Sequence, residues 1–356
     1  MKRLMSGNAA VGEAAILSGC TCYFGYPITP QNELTEYMAK RMPESGGIFI
    51  QAESEIAAIN MVLGASVAGA RAMTSSSSPG ISLKQEGISY LAADELPAVI
   101  VNMVRGGPGM GNISPAQSDY MQATRGGGHG DYKTIVLAPS SVQELADIVP
   151  VAFDLADMYR NPVIILGDGM LGQMMEPVEF EHIKKTKDYP KDYILTGAEN
   201  RPSRMVRSLL FDTKEEEEHN WKLFRKFQRI ENNEIRYETY LVEDAELVVI
   251  AYGIAARIAK GAIKRLRQES IRAGLLRPIT LWPFPYKQIR ELAKTINDFF
   301  VFEMSTGQMV EDVKLSLEGR GHISFYGRPG GVIPTPIEIA RIISRHYYKS
   351  QKVRKS

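Results

Sequence analysis

The sequence predicts an α/β protein made of a parallel-sheet domain followed by a second, smaller α/β domain. Three observations point there. Short apolar runs alternate with helical patterns over residues 1–182. Several of those runs, VIVNMV among them, are almost continuously hydrophobic, as in strands covered by helices on both faces. A second strand–helix alternation opens at LVVIAYG, after a charged break. Repeated βα units imply parallel strands joined by right-handed crossovers.

In chain order the expected strands are Cys22–Phe24, Ile48–Gln51, Ala72–Ser75, Ala98–Val104, Thr134–Leu137 and Val163–Leu166, with helices near 9–18, 30–42, 55–69, 81–93 and 140–158. Residues 183–244 read as a connector. It carries KKTKDYPKD, the acidic run Glu215–Glu218, and Trp221, Phe224, Phe227 and Ile230 at helical spacing, which predicts an amphipathic helix with a solvated acidic start. Residues 245–348 follow as the second domain. LVVIAYG leads into a helix near 254–268, a strand at Leu275–Arg277 and a Pro-rich turn, LRPITLWPFP. Strands FFVFE and HISFY and helices near 308–317 and 335–347 complete it. The residues 349–356 read as a frayed basic tail.

Composition narrows the function classes. A chain of 356 residues predicts two or three domains. Lys plus Arg number 42 against 41 Asp plus Glu, and a net charge of +1 gives no electrostatic case for nucleic acid or an anionic membrane. Two cysteines, Cys20 and Cys22, exclude a disulfide framework and a four-thiolate iron–sulfur cluster held by this chain alone. No run approaches the ~18 apolar residues needed to span a bilayer. The N-terminal segment is broken by Ser6, Gly7, Asn8, Gly12 and Glu13, so it has no signal-peptide core, and the cytoplasm is the expected compartment.

Four segments could carry chemistry. Gly25-Tyr26-Pro27-Ile28-Thr29-Pro30 follows the first of these strands at the sheet's carboxyl edge, where open α/β folds bind ligands. Its prolines lack backbone donors, so Thr29 could present its hydroxyl and amide; the competing reading is a plain turn with Pro30 at the first helical position. In Gln51-Ala52-Glu53-Ser54-Glu55, Ser54 is a natural N-cap that puts Glu55 in the first helical turn, where the dipole favours a carboxylate. The helix that follows has small residues at Ala57, Ala58, Gly64, Ala65, Ala68 and Gly69. Arg105 ends a buried strand and opens the loop GGPGMGN; its guanidinium could clamp a carboxylate. The loop lacks the Lys-Ser/Thr pair of a phosphate loop. Gly126–Asp131 is a second glycine-rich loop holding His129, and the five histidines show no metal-ligand spacing. Gly167-Asp168-Gly169 reads as a strand-to-loop turn, because the asparagine of a magnesium–diphosphate motif is not found at the needed spacing.

These segments together resemble the alpha subunit of the 2-oxoacid:ferredoxin oxidoreductases. The resemblance rests on GNAAVGEAAILSGC, YFGYPITPQNEL, QAESEIAAINMVLGAS, TSSSSPGISLKQEGISYLAADELPAVIV, RGGPGMGN and EDAELVVIAYGIAAR, which cover nearly the whole chain. SSSSPGISLKQEGISY and RGGPG look most like the 3-methyl-2-oxobutanoate (2-oxoisovalerate) branch, with the 2-oxoglutarate enzyme as rival. The resemblance implies a pyrimidine-type thiamine diphosphate-binding domain, then a transketolase C-terminal-like domain. It implies that thiamine diphosphate is shared with a beta subunit carrying the diphosphate and Mg²⁺ site and, in many members, an iron–sulfur cluster, with further clusters on small ferredoxin-like delta subunits and a gamma subunit as a further partner. Coenzyme A, the 2-oxoacid and ferredoxin are the implied substrates and acceptor. By position, Glu55 would face N1′ of the aminopyrimidine, Tyr26, Pro27 and Ile28 would line the cofactor, Thr29 would hydrogen-bond the substrate and Arg105 would pair with its carboxylate. Asp119 and His129 take no role. The rival from another class is a nucleotide- or CoA-binding α/β module without thiamine, which leaves Glu55 and the GYPITP loop unexplained.

Overall fold

The computed structural model describes residues 2–184 and 187–355, so Lys185 and Thr186 of KKTKDYPKD, and Ser356, lie outside the described residues. The first part of the chain runs β1 (Arg3–Ser6), α1 (Gly7–Leu17), β2 (Cys22–Gly25), α2 (Asn32–Glu44), β3 (Ile48–Gln51), α3 (Glu55–Val67), β4 (Ala72–Ser76), α4 (Ser78–Ala93), β5 (Ala98–Val104), α5 (Tyr120–Arg125), β6 (Ile135–Leu137), α6 (Val142–Tyr159), β7 (Pro162–Asp168), α7 (Gly169–Gln173) and β8 (Met175–Val178). Then come α8 (Thr213–Asn233), β9 (Tyr237–Tyr240), β10 (Leu247–Ile250), α9 (Gly253–Gln268), β11 (Ala273–Pro278), β12 (Thr280–Trp282), α10 (Tyr286–Leu292), β13 (Asp298–Glu303), α11 (Met309–Leu317), β14 (His322–Gly327) and α12 (Pro336–Lys355).

The larger sheet has the order β12-β6-β7-β5-β4-β2-β3, parallel except for β12. Its central strands β4, β5 and β7 are buried along their whole length, which is why they read as continuous apolar runs. The chain leaves β2 toward β3 and leaves β4 toward β5, in the opposite direction. The two neighbours therefore form a switch point, with a crevice beyond their carboxyl ends. The second sheet has the order β14-β13-β10-β11-β9, parallel except for β9. No helix among the described residues is long and apolar enough to cross a membrane.

Local chemistry starts the helices, as expected for Ser54. Ser54, Ser141 and Asp212 each accept backbone N–H groups of the turn they open. Other expectations need correcting. Pro30 is not the first residue of a helix, since α2 begins at Asn32 with Gln31 as its cap. The run LRPITLWPFP is not only a turn. Thr280–Trp282 forms β12, which leaves its own sheet and pairs antiparallel with β6 of the larger one. The short strands β1, β8 and β9 have no counterpart in the expected pattern, because four residues with half-exposed side chains leave almost no periodic signal. In α8 only half of the aromatic stripe is covered: Phe227 and Ile230 are buried, whereas Trp221 and Phe224 are exposed and meet edge to face. The basic tail does not fray at 349, as α12 continues to Lys355.

A dense polar seam joins the two sheets. Buried Arg277 on β11 donates to Glu144 at 2.9 and 2.8 Å and to Glu238 at 3.0 Å. The Gln117 side chain bonds the Tyr252 carbonyl and the Met304 N–H, each at 2.9 Å. Asp312 accepts from Tyr120 at 2.5 Å, from Arg125 at 2.6 Å and from Tyr286. Such groups hold only while their partners stay in place, since a stranded buried charge is costly. Replacing Arg277 by leucine should lower the unfolding free energy by about 3 kcal/mol, read calorimetrically as a fall of roughly 5 °C in the midpoint. A shift under about 1 °C would mean that apolar packing alone holds the seam.

Candidate active site

Four strands of the larger sheet, β2, β3, β4 and β5, deliver their carboxyl ends to one edge, and each is followed by a loop or helix start that carries a candidate group. After β3, Ala52 is buried and Glu53 is exposed, and Ser54 caps α3 through a 3.1 Å bond from the Ala57 N–H. Glu55 is thereby fixed as the first helical residue and turned inward, with 6% of its surface exposed. Among the described residues no donor hydrogen-bonds its carboxylate.

The carboxylate lies against α4. A Cβ placed on Gly80 would fall 2.6 Å from Glu55 Oε1 and 2.0 Å from Ser76 Oγ. Only glycine at position 80 lets the two helix starts approach this closely. Ser76 and Ser77, at the β4–α4 junction, bury their hydroxyl oxygens without a partner. One turn on, fully buried Lys84 donates to the Glu55 carbonyl at 3.3 Å and to Thr74 Oγ1 at 3.2 Å. Burial pushes this ammonium down to about 8, against the opposing pull of the Glu55 charge.

The other two loops meet beside α4. Arg105, 7% exposed, donates to the Thr29 carbonyl at 2.9 Å and to the Met110 carbonyl at 3.2 Å, while its buried Nε has no partner. The guanidinium therefore ties the GYPITP loop to the glycine-rich loop instead of standing free as a clamp. Ser78, the first residue of α4, exchanges bonds with the backbone of Arg105, at 3.1 Å from its N–H and 3.3 Å to its carbonyl. The Thr29 hydroxyl has one weak donor, Asn32 Nδ2 at 3.4 Å. Tyr26 and Pro27 are exposed, and Ile28 is half-buried beside them. Thr29 and Arg105 are thus in contact, and Glu55 is joined to them through the first turn of α4.

A cavity of about 420 Å³ opens next to this cluster, between the glycine-rich loop Gly107–Gly109, Asp119 and the second domain's Met304–Thr306. Burial pushes the Asp119 carboxyl up, and bonds from Asn102, Ser78 and Ser118 partly offset this. His129 lies apart, exposed and edge-on to Tyr90. Asp168, of the GDG turn, is buried and capped by the N–H groups of Met170 and Leu171; burial pushes it up to about 6. Gly80 and Lys84 escaped sequence reasoning. Their four-residue spacing puts them on one helix face, but nothing in the sequence says which helix that face meets.

The described groups fit a ring nitrogen of a cofactor. Among the described residues the Glu55 carboxylate lacks a donor, the buried hydroxyls of Ser76 and Ser77 lack partners, and Gly80 leaves the approach open. The family described as pyruvate flavodoxin/ferredoxin oxidoreductase, thiamine diphosphate-binding, matches residues 13–239, and the pyruvate:ferredoxin oxidoreductase core domain II matches residues 245–339. The chain is 52% identical over 329 residues to the ketoisovalerate oxidoreductase subunit VorB of Methanothermobacter marburgensis, covering 92% of this chain and 93% of that one. It is 38% identical over 366 residues to the 2-oxoglutarate synthase subunit KorA of Methanothermobacter thermautotrophicus, covering 95% and 97%. Among solved structures, 2-oxoglutarate:ferredoxin oxidoreductase from Magnetococcus marinus superposes with a TM-score of 0.87 at 28% identity. That match covers 97% of this chain but 65% of the longer chain it lies in. A split-gene transketolase, at TM-score 0.60 and 16% identity, shares the fold. The chain belongs to the 2-oxoacid:ferredoxin oxidoreductase family, with a thiamine diphosphate-binding first domain and a core-domain-II second domain.

Proposed function

We propose that this chain is the subunit of a cytoplasmic branched-chain 2-oxoacid:ferredoxin oxidoreductase that activates thiamine diphosphate, and that the complex converts 3-methyl-2-oxobutanoate and coenzyme A to acyl-CoA and CO₂. One observation carries this reading: Glu55 is buried, with no hydrogen-bond donor to its carboxylate among the described residues, at a sheet edge where Arg105 and Thr29 also converge. The choice of substrate leans on the ketoisovalerate relative, whose identity of 52% exceeds the 38% of the 2-oxoglutarate relative. Among the described residues, Arg105 is the one guanidinium at the cluster, which suits a substrate with a single carboxylate.

When bound, thiamine diphosphate supplies the electron sink for decarboxylation. This chain's residues do the rest of the work on this side of the cofactor. Glu55 holds or returns a proton at the ring nitrogen N1′, and the low local dielectric strengthens that exchange. Tyr26, Pro27 and Ile28 form the loop surface against which the ring rests. Arg105 holds neutral carbonyls in the structure. A substrate carboxylate is a charged acceptor and forms the stronger bond, so Arg105 orients the 2-oxoacid while Thr29 donates its hydroxyl proton.

The diphosphate, Mg²⁺ and iron–sulfur clusters fall to partner subunits in this reading: a beta subunit, and gamma and ferredoxin-like delta subunits that pass electrons to ferredoxin. The face beside Glu55 suits such an arrangement. Ile48 and Ile50 on edge strand β3, and Ile56 in the first turn of α3, are all exposed. An exposed apolar edge strand is a ready pairing surface.

Glu55→Gln should keep the co-expressed complex intact while cutting turnover at least ~100-fold; turnover like that of the parent would remove Glu55 from the chemistry. Arg105→Leu should raise KM for the 2-oxoacid by roughly 10- to 100-fold, with a smaller effect on kcat. Unchanged steady-state kinetics would take it out of the site. Gly80→Ala drives a methyl group into Glu55 Oε1 and Ser76 Oγ, and about a tenfold loss of kcat is expected from the displaced carboxylate. Full activity would show that the contact at Gly80 is not needed.

A further inference from the structure

Lys84 is fully buried, and among the described residues no carboxylate oxygen lies within 4 Å of its ammonium. Its three protons find two neutral acceptors, the Glu55 carbonyl at 3.3 Å and Thr74 Oγ1 at 3.2 Å, both long. A cation buried on these terms is costly, and methionine would fill the same slot without that cost. The stability linkage has a definite sign. The folded value is about 8 against 10.5 for the free side chain, so the unfolded chain binds the proton more tightly between those values. This group therefore opposes folding most below pH 8, and its burden lightens as pH rises through that window. A site held at a standing cost to the fold calls for a function.

Geometry says what it faces. Gly80, Lys84 and Gly87 lie on one face of α4, the face packed on α3. Gly80 meets the Glu55 carboxylate, Lys84 meets the Glu55 carbonyl and Gly87 meets Ile59. The charged group that acts on Lys84 is Glu55. We propose that Lys84 is a positioning residue for Glu55: it anchors the first turn of α3 through the carbonyl, and its buried positive charge holds the carboxylate ionised for proton exchange with the cofactor ring. The proposal rests on the reading of Glu55 given above. Coupling between two titrating groups is reciprocal. The Glu55 charge favours the charged form of Lys84. A hydrogen-bond anchor alone would not need a cation, since glutamine also donates.

The test uses the co-expressed complex with Lys84→Met, Lys84→Gln, Glu55→Gln and the double variant Glu55→Gln/Lys84→Met. In the cofactor-free complex, difference infrared spectroscopy follows the protonated-carboxyl band that Glu55→Gln removes. That band should appear about one pH unit higher in both Lys84 variants, a tenfold change in protonation. In the loaded enzyme, kcat at pH 7 should fall about tenfold. The acid limb of its pH profile should shift upward by about one unit, and activity should recover toward alkaline pH. KM for the 2-oxoacid should hold, the thermal midpoint at pH 7 should not fall and should rise in Lys84→Met as the buried charge is removed, and the double variant should be no slower than Glu55→Gln. An unmoved carboxyl band, or a loss equal at every pH and matched by a fall in melting temperature, would overturn the proposal. Lys84→Gln keeps a donor in place, so it carries the same test where Lys84→Met does not assemble. Full turnover in Glu55→Gln would instead overturn the reading of Glu55 itself, while the infrared band still scores the coupling.

Discussion

The close approach of α4 to the start of α3 is the constraint on which the rest depends. It is possible because position 80 has no side chain, and it presses the first turn of one helix onto the first residue of the other. A carboxylate, an ammonium and two unpartnered hydroxyls are thereby shut into one small volume at the carboxyl edge of the sheet. Burial makes each charge act on its neighbours more strongly than it would at the surface. Ser78, in the same turn of α4, also holds the backbone of Arg105, so the start of the glycine-rich loop hangs on the same contact.

Buried acids elsewhere in the chain show what sets Glu55 apart. Asp168 takes the N–H groups that open α7, and Glu303 takes those of Gln308, Met309 and Val310 at the start of α11. Asp312 gathers two tyrosines and an arginine across the seam. Each of these carboxylates is satisfied and serves the architecture. Glu55 is also buried, at 6% exposed, and opens a helix, yet no donor among the described residues reaches its carboxylate. Beside it, Ile48, Ile50 and Ile56 leave an exposed apolar face on β3 and α3.

The seam between the sheets makes this edge a fixed platform. Arg277, Gln117, Gln308 and Asp312 each cross it, and β12 adds itself to the far edge of the larger sheet. The cavity beside Arg105 is bounded from both sides of that seam. Movements of the second domain would therefore reach the glycine-rich loop directly.

Most of the strand–helix order was legible in the sequence, since the buried strands are long apolar runs and the helix starts carry their own caps. Ser54 alone determined that Glu55 would open a helix, and the placement of Thr29 and Arg105 after strands predicted that they would share an edge. These are local facts, set by the backbone hydrogen bonds of a few neighbouring residues. What the chain could not declare by itself is everything that depends on which faces meet. The strand Thr280–Trp282 reads as a turn because its partner lies in another sheet, and the aromatic stripe of α8 looks uniform although only part of it finds cover. Nothing in the sequence marks Lys84. Its burial beside Glu55 exists only once α4 has docked on α3, because the free energy of a charge is fixed by the dielectric and the charges around it, and tertiary packing alone decides those.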